Sequence, residues 1–221
     1  MFDFDTNSNE IFLYDDIGPE WAGMIGAASV NQALSQMSGK VTVRLNTPGG
    51  SVDEGIAIFN ALKRYSGGVD TIVDSMAYSM GSYILQAGDT RTVTRNSMVM
   101  IHDPWMIALG NAEDLRKEAE VLDKYKGRML PEYAARSGAT EEEVSALLTA
   151  ETWMTGSEAV SMGYADVLEG DSVEPVEISE ATARHFKQMP SSASLKTIAA
   201  GSKTPYPHRR EMAKRKMQIL G

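Results

Sequence analysis

Ser79 sits in Ala77-Tyr78-Ser79-Met80-Gly81, between an apolar run and a segment of small residues. A hydroxyl at such a bend projects from the start of a helix, and the N–H of the next residue, Met80, points toward the same reacting carbon. His102 follows the apolar run Met98 to Ile101, which places an imidazole at a strand end, where open α/β folds assemble their sites. With an ordinary pKa of about 6.5, an imidazole accepts a serine proton and returns it to a leaving amine. The pair suits acyl transfer. Ser75 and Ser82 compete with Ser79 in sequence, whereas His185 and His208 stand in a weakly patterned tail.

A serine–histidine pair needs a third group to hold the imidazole tautomer and stabilise its cation. Asp103, Glu118, Asp123, Glu151 and Asp166 all remain candidates by local order. Glu151 is favoured because it lies in a loop beside Trp153, a rigid anchor, and Asp103 is too close in sequence to His102 to orient it easily. Gly49 and Gly50 permit special turn angles and close approach of backbone to ligand. Their functional reading uses the Gly50 N–H, with that of Met80, to hold an oxyanion, and the run Gly49, Ser51, Val52 and Asp53 to bind a peptide as an added strand. No Lys-Ser or Lys-Thr follows these glycines as a phosphate loop requires, and the dinucleotide fingerprint is missing. The 3 histidines form no short zinc motif, the chain has 0 cysteines, and no acidic spacing singles out a magnesium site. Neither a metal nor a cofactor is expected.

These groups need elements to position them. Ile11 to Tyr14 suits a first strand, Trp21 to Met37 carries apolar residues at helical intervals, and Val41, Val43 and Leu45 mark a strand in a sheet covered on both faces. Ser51 and Glu54 predict a reciprocal cap opening a helix with Val52, Ile56, Phe59 and Leu62 on its apolar stripe. Val69 to Val73 reads as a strand and Ala77 to Ala87 as a buried helix. Thr92 to Thr94 and Met98 to Ile101 read as strands joined in a hairpin through Arg95-Asn96. A long helix is expected from Asn111 to about Ser137, with Pro131 placed to break or bend it. Capping boxes at Thr140/Glu143 and Thr155/Glu158 bracket Glu151 to Trp153. Alternating strands, glycine turns and helices define an α/β class.

The 221 residues fit one domain with appendages. Residues 1–183 hold 12 basic and 29 acidic side chains, a net of −17, while residues 184–221 hold 9 and 1, a net of +8. The expected division is a catalytic domain over 1–170 and a polar, then basic extension over 171–221, with a short helix at Ala181 to Met189. The start lacks a secretory pattern and no apolar run approaches the roughly 20 residues that cross a bilayer. A cytoplasmic chain without membrane contact is therefore expected. The basic tail offers salt-sensitive contact to nucleic acid or to an acidic protein surface, or stays solvated.

The segments Leu45-Asn46-Thr47-Pro48-Gly49-Gly50, Met76 to Gly81, Met100-Ile101-His102-Asp103-Pro104 and Trp153 to Ala159, in this order and spacing, resemble the Clp protease proteolytic subunit family, ClpP. The resemblance covers about Ile11 to Leu168. It implies the repeated α/β units of the ClpP/crotonase-like fold, a protruding strand–helix handle from about Trp105 to Ser137, and homo-oligomeric rings that enclose their active sites. It places a nucleophile on Ser79, a base on His102 and the third triad member on Glu151, where the family usually has aspartate. Gly50 and Met80 fall on its oxyanion donors. The short amino terminus implies independence of an AAA+ unfoldase. Together with the basic end, it also resembles the ClpP-related proteases of phage head maturation, whose substrates are capsid or scaffold proteins inside a procapsid. A non-catalytic ring or scaffold subunit and a crotonase-like acyl-CoA enzyme are the alternatives.

Overall fold

The computed structural model describes residues 2–170. The helix expected over 181–189 and the basic extension lie outside the described residues. Helices and strands alternate along the chain: β1 (Asp3–Asp5), β2 (Glu10–Leu13), α1 (Ala27–Gln36), β3 (Val41–Thr47), α2 (Val52–Arg64), β4 (Val69–Tyr78), α3 (Met80–Leu85), β5 (Arg91–Thr94), β6 (Met98–Ile101), α4 (Ala112–Ser137), α5 (Glu141–Thr149), β7 (Thr152–Thr155), α6 (Gly156–Ser161) and β8 (Val167–Glu169). The strands form one mixed sheet in the order β1-β2-β3-β4-β5-β8, with β6 and β7 attached beyond β4. This is the expected α/β class.

Alternation decides what the sheet buries. Val41, Val43 and Leu45 of β3 and Val73 of β4 are fully enclosed, and Ile58 and Leu62 of α2 and Ile84 of α3 join them in the core. The opposite face is not fully covered as expected. It carries the half-exposed Arg44, which donates to Asp74 and reaches Glu10 at 3.2 Å. A charged cluster of this kind keeps access to water rather than a second apolar layer.

Two boundaries move for one reason. β4 was expected to stop at Val73, where Asp74-Ser75 interrupts the apolar run, yet it continues to Tyr78 and delays α3 until Met80. The continuation has a new partner. β5 pairs with Thr71–Val73 of β4, whereas β6 pairs with Met76–Tyr78, both in parallel. The expected β5–β6 hairpin is therefore absent, and the two strands follow one another along the same edge of β4. β6 instead pairs antiparallel with β7, Ile101 opposite Thr152.

The helix caps divide similarly. Thr140 and Thr155 form both halves of their boxes with Glu143 and Glu158. At Ser51 only the outward half forms, its hydroxyl accepting from Glu54 N–H at 3.4 Å, because the Glu54 carboxylate turns to accept from Ala27 N–H at 2.7 Å. The Trp21–Met37 helix likewise shortens to α1, preceded by one 3-10 turn at Glu20–Ala22.

α4 runs through Pro131 without ending, held by the buried Met129, Tyr133 and Ser137 at four-residue intervals on one side. Its first ten residues are exposed, including Leu115. Residues 102–109 do not pair into the sheet, so the strand expected from about Trp105 is not formed, and α4 is the element of that stretch. Among the described residues, no helix is long and apolar enough to cross a membrane.

Candidate active site

Ser79 is the hinge between β4 and α3. Its φ of 51° and ψ of −121° lie where L-residues are rarely found, a conformation that costs about 1–3 kcal/mol and persists only where surroundings enforce it. Here they do. Ser79 N–H donates to Met100 O of β6 at 2.9 Å, and Ser79 O accepts from Ser82 N–H at 3.0 Å and Ser82 Oγ at 2.6 Å. This pinned turn lifts the hydroxyl out of the sheet edge.

His102 follows directly on β6, whose neighbour is the end of β4, so the pairing Tyr78–Met100 brings the two elements' ends together. His102 Nε2 lies 2.8 Å from Ser79 Oγ. That is the separation at which an imidazole takes a hydroxyl proton.

The β6–β7 ladder ends at Ile101–Thr152, so His102 and Glu151 each adjoin the end of the same strand pair. Glu151 is 8% exposed and, like Ser79, has a positive φ of 51°. Its Oε1 accepts from Trp153 Nε1 at 3.3 Å, and the Trp153 ring meets Tyr78 edge-on at 4.9 Å. The indole thus spans from the acid to the residue before the serine.

Other acids have other partners. Asp103 pairs with Lys126 at 2.8 Å and accepts from Thr149 Oγ1 at 2.9 Å. Asp166 binds the Arg91 guanidinium at 2.7 and 3.0 Å, and Glu118 and Asp123 stand on the exposed part of α4. Among the serines, Ser75 lies within β4, and Ser82 is fully buried with its hydroxyl engaged. His185 and His208 lie outside the described residues.

Gly49 and Gly50 have φ of 92° and 139°. A Cβ on Gly49 would come within 2.8 Å of Met80 N and of Ser79 Cβ, so this backbone lies directly against the serine turn. Ile17 occupies one edge of the loop: its N–H donates to Gly49 O at 2.7 Å, and its O accepts from Ser51 N–H at 2.8 Å. By strand alternation, the Gly50 N–H and C=O face the other way. Met80 is the first residue of α3, so its N–H has no carbonyl a turn earlier in the helix. The extended run ends at Ser51, because Val52 and Asp53 belong to the first turn of α2, with Asp53 Oδ1 accepting from Tyr125 OH at 2.6 Å. An incoming strand along Gly49 to Asp53, as expected from sequence, is thereby cut short at Ser51.

The link between Ser82 and Tyr133 has no signal in residue order. Ser82 Oγ lies 2.8 Å from Tyr133 OH on α4, a link across 51 residues of chain. A buried tyrosine at helical spacing is indistinguishable in sequence from an ordinary core residue.

A serine on a strained strand-to-helix turn with an imidazole in hydrogen-bond reach is the geometry that a serine hydrolase type of site requires on an α/β scaffold. The chain belongs to the Clp protease family, a family of serine peptidases, whose model matches residues 4–170. It is 31% identical over 160 residues to the ATP-dependent Clp protease proteolytic subunit 1 of Prochlorococcus marinus (strain MIT 9312), covering 72% of this chain and 82% of that protein. The protein of the same name from Leifsonia xyli subsp. xyli (strain CTCB07) is 29% identical over 168 residues, 75% of this chain and 85% of the relative.

Proposed function

We propose that this chain is a serine endopeptidase that cleaves polypeptides through an acyl-enzyme. The carrying observation is the 2.8 Å approach of His102 Nε2 to Ser79 Oγ at a strained turn. His102 takes the Ser79 proton as Oγ attacks the scissile carbonyl, and the oxyanion receives hydrogen bonds from the N–H groups of Gly50 and Met80. Protonated His102 then gives its proton to the departing amine. Water enters, His102 takes one of its protons, and as the second tetrahedral species collapses His102 passes that proton to the leaving Ser79 Oγ and the acid is released. Glu151 holds the imidazole in the tautomer that leaves Nε2 able to accept. The substrate backbone lies along the free edge at Gly50, the edge opposite Ile17.

The test is intact-mass analysis after treatment with a serine-directed fluorophosphonate. One adduct is expected on the parent and none on Ser79→Ala, and identical labelling of both refutes the assignment. His102→Ala and Glu151→Gln are each expected to slow labelling by roughly 10²–10⁴-fold. An unchanged rate in either removes that residue from the triad.

Assembly into rings is part of the same proposal, and the exposed apolar residues Ile107, Leu109 and Leu115 support it. Native mass spectrometry of the full chain reads the subunit number directly, and a monomer at all concentrations rejects it. The narrower expectation of capsid or scaffold substrates rests on sequence resemblance alone. Cleavage-site mass spectrometry on coexpressed capsid and scaffold proteins decides it.

A further inference from the structure

We infer that Ser82 and Tyr133 are positioning residues that aim the Met80 N–H at the oxyanion, an inference that rests on the serine peptidase reading above. The Ser79 carbonyl and the Met80 N–H are opposite ends of one planar peptide unit. Whatever fixes the carbonyl also fixes the direction of the N–H. Three donors converge on that carbonyl: Ser82 N–H at 3.0 Å, Tyr83 N–H at 3.3 Å and Ser82 Oγ at 2.6 Å, the shortest of the three.

The direction of the chain of hydrogen bonds follows from proton counting. Ser82 has one hydroxyl proton, and a carbonyl only accepts, so that proton goes to Ser79 O. The 2.8 Å bond between Ser82 Oγ and Tyr133 OH is therefore donated by the phenol. Burial holds the Tyr133 phenol far above its usual range, and the phenol stays a donor at any working pH. A serine that bonds back to a carbonyl three residues earlier is common at helix starts. A second, buried donor that locks its hydroxyl rotor is what sets this one apart.

Tyr133 is itself fixed. Its ring is 1% exposed and lies between Tyr83 at 5.5 Å and Tyr164 at 5.9 Å. The relay Tyr133→Ser82→Ser79 C=O thus runs from a rigid part of α4 to the strained turn at Ser79. Its polarity also adds up, because a carbonyl that accepts more hydrogen bonds makes the N–H of the same peptide unit a stronger donor.

A relay that aims the donor and one that only fills the core make opposite predictions when both polar groups are removed. The experiment uses the full chain and a fluorophosphonate probe, with kinact and KI measured alongside the thermal midpoint. Ser82→Ala is expected to lower kinact roughly tenfold to a hundredfold with KI within about twofold, less than the loss of a whole oxyanion donor. It also lowers the midpoint, since the buried phenol is stranded. Tyr133→Phe leaves the Ser82 proton on Ser79 O and is expected to lower kinact by about threefold to tenfold. The double variant, with no stranded group, recovers the midpoint yet keeps the kinact of Ser82→Ala. Recovery of kinact together with the midpoint overturns the inference, as does a Ser82→Ala variant within twofold of the parent. Should Ser82→Ala fail to fold, Tyr133→Phe decides alone, an unchanged kinact overturning the relay. A parent chain that takes no label at Ser79 sinks the peptidase reading itself, a result separate from any difference among variants.

Discussion

Replacing Gly49 with alanine adds one methyl group at the closest approach of the glycine loop to the serine turn. The new Cβ would lie 2.5 Å from Tyr78 O, 2.8 Å from Met80 N and 2.8 Å from Ser79 Cβ, and two of these neighbours are backbone atoms that cannot rotate aside. Ordinary carbon contacts begin near 3.4 Å, so the loop must retreat by about 1 Å, a displacement that costs on the order of 10²-fold at a reacting centre. The φ of 92° adds backbone strain, about 1–2 kcal/mol, and the overpacking adds about 1–3 kcal/mol. Together these give roughly 2–5 kcal/mol, within the usual stability of a domain, about 5–15 kcal/mol. The variant should therefore fold, with a midpoint lowered by roughly 5–20 °C, and react with fluorophosphonate about 10²-fold more slowly. Gly39→Ala is the control, with a φ of 71° and no atom within 4 Å of its Cβ. It should lose about 1–2 kcal/mol and no reactivity. A Gly49→Ala variant that labels at the parent rate would show that the loop does not sit against the serine, and the oxyanion assignment of Gly50 would fall with it.

Arg91, 3% exposed, bonds Asp166, Gln86 Oε1, Gly163 O and Arg136 O, joining β5, α3 and the end of α4 to the segment before β8. Arg91→Ala is expected to cost about 3–5 kcal/mol, because it strands these partners, and a urea midpoint equal to the parent's would contradict this. Asp166 supplies a pH signature: burial raises its pKa, but the hydrogen bonds and charge of Arg91 outweigh it and hold the carboxyl below its usual range. The unfolded carboxylate thus protonates first, so its contribution is complete above about pH 4 and is lost as pH falls through the lower folded value. Asp166→Asn should flatten the acid limb of stability measured by urea denaturation below about pH 4, and an unchanged limb rejects the account. Glu54→Ala removes the 2.7 Å acceptor of Ala27 N–H and should cost about 1–2 kcal/mol, with Glu54→Gln retaining most of it in the same denaturation assay.

Much of the scaffold was legible in the amino-acid order, because local physics wrote it there. The capping boxes at Thr140 and Thr155 are closed within four residues, and they appear where the pattern places them. The alternation of Val41, Val43 and Leu45 likewise marks a strand, although the cover expected on its second face is incomplete. Ser79 at the mouth of a small-residue helix and His102 at a strand end could be nominated from their neighbours alone. The choice among Asp103, Glu118, Asp123, Glu151 and Asp166 could not be made from residue order, since charge and loop position are shared by all.

Only the tertiary structure decided the rest. Whether β5 and β6 form a hairpin or both add to β4 depends on which edge is open, and that is a property of the assembled sheet. The same pairing of β6 with β4 brings Ser79 and His102 within 2.8 Å from distant parts of the chain, and the pairing of β6 with β7 ends beside Glu151. Ser82 read as a rival nucleophile until Tyr133, 51 residues away, fixed its hydroxyl toward the Ser79 carbonyl. Residue types state which chemistry is available, but distances between remote segments follow from burying a common core, and a hydrogen bond exists only once that packing has set them.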